Sequence, residues 1–262
     1  MQTSYNLYME PGFNGMKADS GYDDVKSMVA YEDIPFGRSV VKCYGKDNLC
    51  RLPILNTLVI TDSGGTFTAG DIVATILENV VTQAFGTDKD TSLTALAAQI
   101  AALDGIISCA YNSGAHTITI VSENDTLEGS SVDVSDITGN MTISSYVYTS
   151  TDVLLGISVA THKETEHDCE TVQYNEDEAV NVMSKGRIYS YCEEAIGSDD
   201  STLYTRCHNS GATKQRGQLL KTSTAETSGT NSWAKRAVAS GVKIIKTITG
   251  AGLTIVEVNF PQ

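Results

Sequence analysis

The stretch that most constrains the fold is residues 152–196. It contains three short runs rich in β-branched and aromatic residues: 153–160, 179–183 and 187–193. In the second run Val180 and Val182 alternate with polar residues, and the third run alternates similarly, so both are predicted to be strands with one buried face. Residues 184–186 (SKG) are typical of a tight turn between them. We therefore expect the middle of a small β-barrel or β-sandwich.

The chain before this stretch begins with a polar, turn-rich segment, residues 1–30, in which large apolar side chains are interleaved. We expect an extended arm with little regular structure. Two interpretations stay open: a disordered leader, or an arm that packs on a neighbouring subunit. If the arm packs on a partner, the candidate contact residues, chosen from residue type alone, are Tyr5, Tyr8, Phe13 and Tyr22.

Residues 55–149 have a different character, because they hold fewer aromatic residues and the one convincing helix. Apolar residues at helical spacing predict that helix over residues 91–103, with Thr91 or Ser92 as its cap. Residues 71–77 and 80–85 are predicted to form a hairpin, since β-branched residues dominate, although an amphipathic helix fits the spacing too. With strands before and after the helix, this segment is predicted to be a compact α+β domain.

The predicted domain organisation is therefore a β domain made of residues 1–54 and 150–262, interrupted by an inserted α+β domain at residues 55–149. Insertions are tolerated where a surface loop brings both ends close together. Near the end of the chain, residues 221–231 are poor in apolar residues and are expected to be mobile. Residues 242–248 and 253–260 are expected to close the chain as a hairpin, and their apolar side chains on both faces indicate strands that are covered on both sides.

The charge balance excludes one class of function. The 262 residues carry 18 Lys and Arg against 32 Asp and Glu, for a formal net charge of −14. A phosphate backbone would be repelled by such a surface, so no nucleic-acid partner is expected. No apolar run is long enough for a membrane span, and the N-terminus lacks the features of a signal peptide.

The motif search points away from an enzyme, and we expect no catalytic, cofactor-binding or metal-binding residues. The segment richest in metal-capable groups, residues 162–169, places its two histidines five positions apart, which does not direct them at one metal on a strand or on a helix. No GxSxG motif occurs. A hydrolase that uses residues 162–169 is the enzymatic alternative.

The order of several short motifs in the outer segments is more specific. These are Pro11-Gly12 with Asp19 and Asp23, residues 34–40 (IPFGRSV), Leu52-Pro53, residues 154–159 (LLGISV), Tyr174, residues 180–189 (VNVMSKGRIY) and residues 245–258 (IKTITGAGLTIVEV). In this order the chain resembles the structural cement, or decoration, proteins of tailed-bacteriophage heads. The resemblance covers roughly residues 1–53 and 150–262.

The resemblance implies a non-enzymatic virion protein that binds the outer surface of the capsid and cements neighbouring capsomers. The implied partners are the major capsid protein and further copies of the chain, as a trimer or dimer, with no cofactor, and the protein would be assembled in the host cytoplasm. One alternative is a capsid-anchored adhesin that binds host-surface glycans through residues 55–149, whose aromatic residues are Phe67, Phe85, Tyr111, Tyr146 and Tyr148. Another is a tail or baseplate structural protein.

Overall fold

The computed structural model describes residues 12–18, 23–160, 173–197, 200, 202–234, 236–238 and 242–260. Within these residues the chain forms 23 strands and one α-helix, so the prediction of a mainly β fold is confirmed. In chain order the elements are β1 (Asp24–Ala30), β2 (Ile34–Pro35), β3 (Ser39–Lys42), β4 (Leu49–Arg51), β5 (Thr57–Asp62), β6 (Phe67–Ala69), β7 (Asp71–Ile76), β8 (Asn79–Ala84), α1 (Lys89–Ala101), β9 (Ile106–Asn112), β10 (Thr117–Ser122), β11 (Ser131–Asp133), β12 (Thr138–Gly139), β13 (Ile143–Thr149), β14 (Leu154–Ser158), β15 (Gln173–Tyr174), β16 (Ala179–Cys192), β17 (Leu203–Thr205), β18 (Leu219–Leu220), β19 (Glu226–Ser228), β20 (Asn231–Trp233), β21 (Arg236–Val238), β22 (Val242–Ile244) and β23 (Gly252–Asn259). Among the described residues, no helix is both long and apolar enough to cross a membrane.

Five strands close into a small barrel. They follow the order β1-β4-β3-β14-β16, and β1 pairs again with β16, which leaves no open edge in that circuit. The inside is filled by apolar side chains that include Val40, Phe36 and Val182, with Tyr174 packed edge-on against Phe36. A closed circuit of strands removes the exposed edges that a short sheet would otherwise present.

The long strand β16 belongs to two structures at once. Its first half lies in the barrel, and its second half joins β23, β22, β18, β17 and β21 in what we call the C-terminal sheet. The predicted turn at residues 184–186 is wrong, because Met183 pairs with Ile157 in the barrel and Lys185 already pairs with Asn259 of β23. Gly186 is in the positive-φ region (φ 132°) and lets the strand bend without turning back.

The N-terminal segment runs along one edge of β16 in two pieces. Residues 24–29 pair with residues 179–185, so part of the predicted irregular arm is a regular strand. Residues 15–18 continue along the second half, where Lys17 bridges to Ile188. The described part of the arm is therefore bound to its own chain.

Residues 55–149 form a unit with its own core. The six-stranded sheet β19-β20-β13-β5-β10-β9 and the three-stranded sheet β11-β7-β8 contribute side chains to this one core, and α1 packs against β8 and β9. The hairpin prediction is confirmed, with its turn at Leu77 and Glu78, both at positive φ (47° and 64°). The helix prediction is confirmed with shifted bounds, because Asp88 and not Thr91 is the cap: its side chain accepts the Thr91 N–H.

Two strands of this unit come from the far end of the chain. Asn231–Trp233 pairs in parallel with β13, and Glu226–Ser228 pairs with it in turn. Residues 221–231, expected to be mobile, therefore include an ordered hairpin strand. The division into residues 1–54 with 150–262 and residues 55–149 stays a prediction, and the separate cores support it, although strands from the third segment complete the inserted sheet.

Candidate functional site

The four predicted contact residues can be placed only in part. Tyr5, Tyr8 and Tyr22 lie outside the described residues. Phe13 is described, and its side chain is 58% exposed. A phenyl ring held this far into solvent costs hydration free energy, so it marks the place from which a candidate contact surface can be built.

The position of Phe13 is determined by main-chain hydrogen bonds between the arm and β16. The Gly15 N–H donates to the Tyr189 carbonyl (2.8 Å), and the Tyr189 N–H donates to the Met16 carbonyl (2.8 Å). The side chain of Asn14 accepts the Tyr191 N–H at 2.9 Å. Gly12 lies flat on the Tyr189 ring, because a Cβ there would come within 2.5 Å of the ring. Phe13 is thus presented beside the exposed side of β16.

That side of the C-terminal sheet carries two rows of apolar side chains. Tyr189 lies opposite Ile255, and Tyr191 lies opposite Leu253. Ile245 extends the first row, since its N–H donates to the Ile255 carbonyl and its side chain is 40% exposed. We call this surface the Tyr189 face; its members are Phe13, Tyr189, Tyr191, Ile245, Leu253 and Ile255, all partly or largely exposed.

The opposite side of the same strands is buried. Ile188, Val256 and Val258 belong to the core beneath the C-terminal sheet. The strands therefore carry apolar side chains on both faces. The prediction that the closing hairpin is covered on both sides is wrong for the described part of the chain, in which only one face is covered. A half-exposed apolar sheet face is a common form of protein contact surface.

A row of charged residues borders the apolar rows. Arg187 donates to Glu257 at 2.9 Å, and Lys243 lies opposite Glu257 on the next strand. These side chains are well exposed, so the ion pair adds little to stability. An apolar centre rich in tyrosine with a charged rim is the usual composition of a protein–protein contact surface.

Sequence reasoning identified Phe13 and missed the other five members of this face. The signal was present, because both alternating sets of residues 253–256 are apolar or β-branched. Residue type alone could not bring Tyr189 next to Phe13, since this requires the arm to run back along β16.

The residues considered for other functions lie elsewhere. The segment 162–169, proposed for a hydrolase, is outside the described residues. The aromatic residues that a glycan-binding platform would need are core residues: Phe67 and Tyr148 are buried, and Phe85, Tyr111 and Tyr146 pack against the same core. Groups of three or more potential metal ligands do not occur in the part of the chain that the structure describes.

Comparison with known families gives one match. The family model described as "Structural cement protein (E217 gp24/Pam3 gp6)" matches residues 68–259. The matched span includes most of the inserted unit, the long strand β16 and every member of the Tyr189 face except Phe13. No curated protein matches the chain.

Proposed function

This chain belongs to the structural cement protein family of phages, and from that membership we propose that it binds the outer surface of the head and cements neighbouring capsomers. Its role as a structural protein of the virion follows from the family. We propose further that the partner is the major capsid protein. The family match and the exposed Tyr189 face support this. We include in the proposal that the protein is not an enzyme and acts as a trimer or dimer, assembled in the host cytoplasm.

The physical case for the Tyr189 face rests on its composition. Tyrosine and phenylalanine bury large areas at small entropic cost, and contact energy concentrates on such residues when a polar rim excludes water. A single face of this size binds weakly, but an oligomer that presents several copies to a repeating lattice gains avidity. In the same proposal the barrel and C-terminal sheet hold the capsid, and the inserted unit projects outward or contacts a neighbour.

The net charge of −14 fits this role in two ways. It keeps free subunits soluble before assembly. It also favours basic regions of a capsid exterior over nucleic acid, which carries charge of the same sign.

Cosedimentation with expanded, undecorated heads tests the proposal. The double variant Phe13→Ser with Ile245→Ser removes the two most exposed members of the Tyr189 face and is expected to weaken binding by about tenfold or more. Val80→Ser is the matched control, because Val80 is 68% exposed but lies on β8 of the inserted unit. Equal binding by wild type, the double variant and Val80→Ser would show that the Tyr189 face does not contact the capsid. Binding to tails instead of heads would show that the protein belongs to another part of the virion.

The arm needs a narrower deletion than the whole predicted segment. Residues 24–30 close the barrel through β16, so removal of residues 1–30 would unfold the domain under test. Deletion of residues 1–11 removes Tyr5 and Tyr8 and keeps every described contact. If these residues contact the partner, this deletion weakens binding to heads while the midpoint of thermal unfolding stays the same.

A further inference from the structure

Next to the Tyr189 face lies a buried cation, Arg38, with one hydrogen-bond partner in the part of the chain that the structure describes. The Arg38 side chain is 7% exposed, and its Nη2 donates to Oε1 of Gln215 at 2.6 Å. Its Nε and Nη1 have no partner among the described residues. Burial lowers the pKa of this guanidinium to about 10, which leaves it charged at neutral pH.

Buried charged groups are normally paired, so this arrangement is costly. The charge of the Glu193 carboxylate acts on Arg38 and raises its pKa against the effect of burial. Both oxygens of Glu193 already accept hydrogen bonds from Arg206, at 2.6 and 2.8 Å. Arg38 is therefore left with a neutral amide oxygen where a carboxylate would be expected.

Arg38 adjoins the candidate contact surface. The segment before Arg38 is joined to β16 at this surface by Asn14, whose side chain donates to the Phe36 carbonyl and accepts the Tyr191 N–H at 2.9 Å. Tyr191, a member of this face, is among the groups that raise the pKa of Arg38 against the effect of burial. A partner seated on the Tyr189 face would reach the Arg38 side chain at its edge.

The group that covers Arg38 is an exposed side chain on a well-anchored loop. Gln215 is exposed, and its own N–H donates to the Gln218 side chain at 2.8 Å. The following residue, Arg216, pairs with Glu32 through two hydrogen bonds of 2.6 and 2.9 Å. To rotate away, the Gln215 amide gives up its bond from Arg38 and a 3.3 Å bond to the Ala212 carbonyl, while the loop backbone stays in place. The first of these bonds would be replaced by the bond from Arg38 to the incoming carboxylate.

We propose that Gln215 is a removable cover and that Arg38 binds the carboxylate of an Asp or Glu side chain on the capsid surface. Either edge of a guanidinium that includes Nη2 also includes a nitrogen, Nε or Nη1, that has no hydrogen-bond partner among the described residues. A carboxylate in the place of the amide would thus meet two donors with opposite charge, the strongest hydrogen-bond arrangement open to arginine. This inference rests on the proposed function for the identity of the partner.

Two substitutions of Gln215 test whether Arg38 binds a carboxylate of the partner. Gln215→Glu supplies a carboxylate from the chain itself, so it occupies Arg38 and is expected to weaken binding to heads by about tenfold or more, the effect of one hydrogen bond to a charged group. Gln215→Ala opens the site and retains or strengthens binding. Thr213→Glu, on the same exposed loop, controls for the added negative charge and leaves binding within about twofold. Indistinguishable binding by the Gln215→Glu and Gln215→Ala proteins would overturn the proposal.

A second measurement needs no capsid. Acetate titrated into the Gln215→Ala protein should shift the Arg38 Nε–Hε signal in a saturable way in ¹⁵N NMR, while the Gln215→Glu protein should not respond. If acetate shifts the signal but the wild-type chain does not bind heads, Arg38 is a carboxylate site and the proposed capsid partner is refuted. Absence of the acetate response would refute the site itself. A Gln215→Glu effect on oligomeric state without an effect on head binding would assign the carboxylate to a second copy and overturn the proposal as stated.

Discussion

One buried ion pair defines where the inserted unit begins and ends. Arg51 and Asp152 are 1% and 3% exposed and are joined by two hydrogen bonds of 2.9 and 2.8 Å. The same carboxylate also accepts the Ile54 N–H and the Asn56 side-chain amide. The chain therefore leaves the barrel and returns to it at one point, although the two charged residues are far apart in sequence.

Because the pair is buried, loss of one charge is expected to be expensive. Asp152→Asn leaves the Arg51 guanidinium without its counter-charge and should lower the free energy of unfolding by about 3–5 kcal/mol. Glu257→Gln, which breaks the exposed pair with Arg187, is the matched control and should change it by less than about 1 kcal/mol. Denaturant unfolding measures both, and equal effects would contradict the role given to Asp152.

At the scale of elements, local sequence patterns predicted the elements whose formation depends on residues close together in the chain. The β7–β8 hairpin and helix α1 were predicted because β-branched runs and helical spacing of leucines act within one element. Strand β16 was divided wrongly, because residues 184–186 resemble a turn and only pairing with β1 and β23 on its two sides keeps them extended. Local patterns also failed to predict the Tyr189 face, because long-range strand pairing assembles it. They failed to predict β19 as well, because this strand is polar and forms only through its neighbours.

The bend in β16 gives a prediction about Gly186. Its φ of 132° is unfavourable for other residues, and a Cβ there would lie 2.9 Å from the Asp23 Cβ. Gly186→Ala should therefore lower the free energy of unfolding by about 1–3 kcal/mol. Gly250→Ala is the control, since a Cβ at Gly250 meets nothing within 4 Å, and its effect should be well below that of Gly186→Ala in the same denaturant titration.

An ion pair between Arg206 and Glu226 holds strand β19 in place. The contribution of this pair to stability depends on pH. A hydrogen bond from Arg206 at 2.7 Å holds the pKa of Glu226 at about 2, below its ordinary value of 4.5. Because the folded-state pKa is lowered, this stabilisation is complete above about pH 4.5 and is lost as the pH falls from about 4.5 to about 2.

The comparison with Glu226→Gln isolates this effect. Wild type should be more stable than the variant above pH 5, and the difference should shrink steadily toward pH 2. Unfolding free energies measured by urea titration at several pH values provide the check. Parallel stability curves for the two proteins would show that Glu226 does not titrate as the Arg206 contact requires.

At the scale of the molecule, the inserted unit and the rest of the chain are tied together at several separate places. The ion pair of Arg51 and Asp152 joins the chain crossings. Asn124 of the inserted unit accepts the Tyr44 N–H of the barrel at 2.8 Å and donates to the Tyr44 carbonyl. Strand β20 pairs with β13, and Arg206 links Glu193 at the end of β16 to Glu226 of β19. Under the proposed function, these connections would carry load between neighbouring capsomers.

These ties predict that the two units unfold together. Trp233, the single tryptophan, lies on this boundary: its ring stacks on Tyr148 of β13 at 6.0 Å and on His208 at 5.9 Å. Its fluorescence reports the boundary, whereas far-UV circular dichroism reports all the strands. In urea the two signals should follow one transition with the same midpoint, as expected when no partly folded state accumulates. A biphasic dichroism curve, with fluorescence following only one phase, would mean that the inserted unit folds independently and that the ties are too weak to couple it to the barrel.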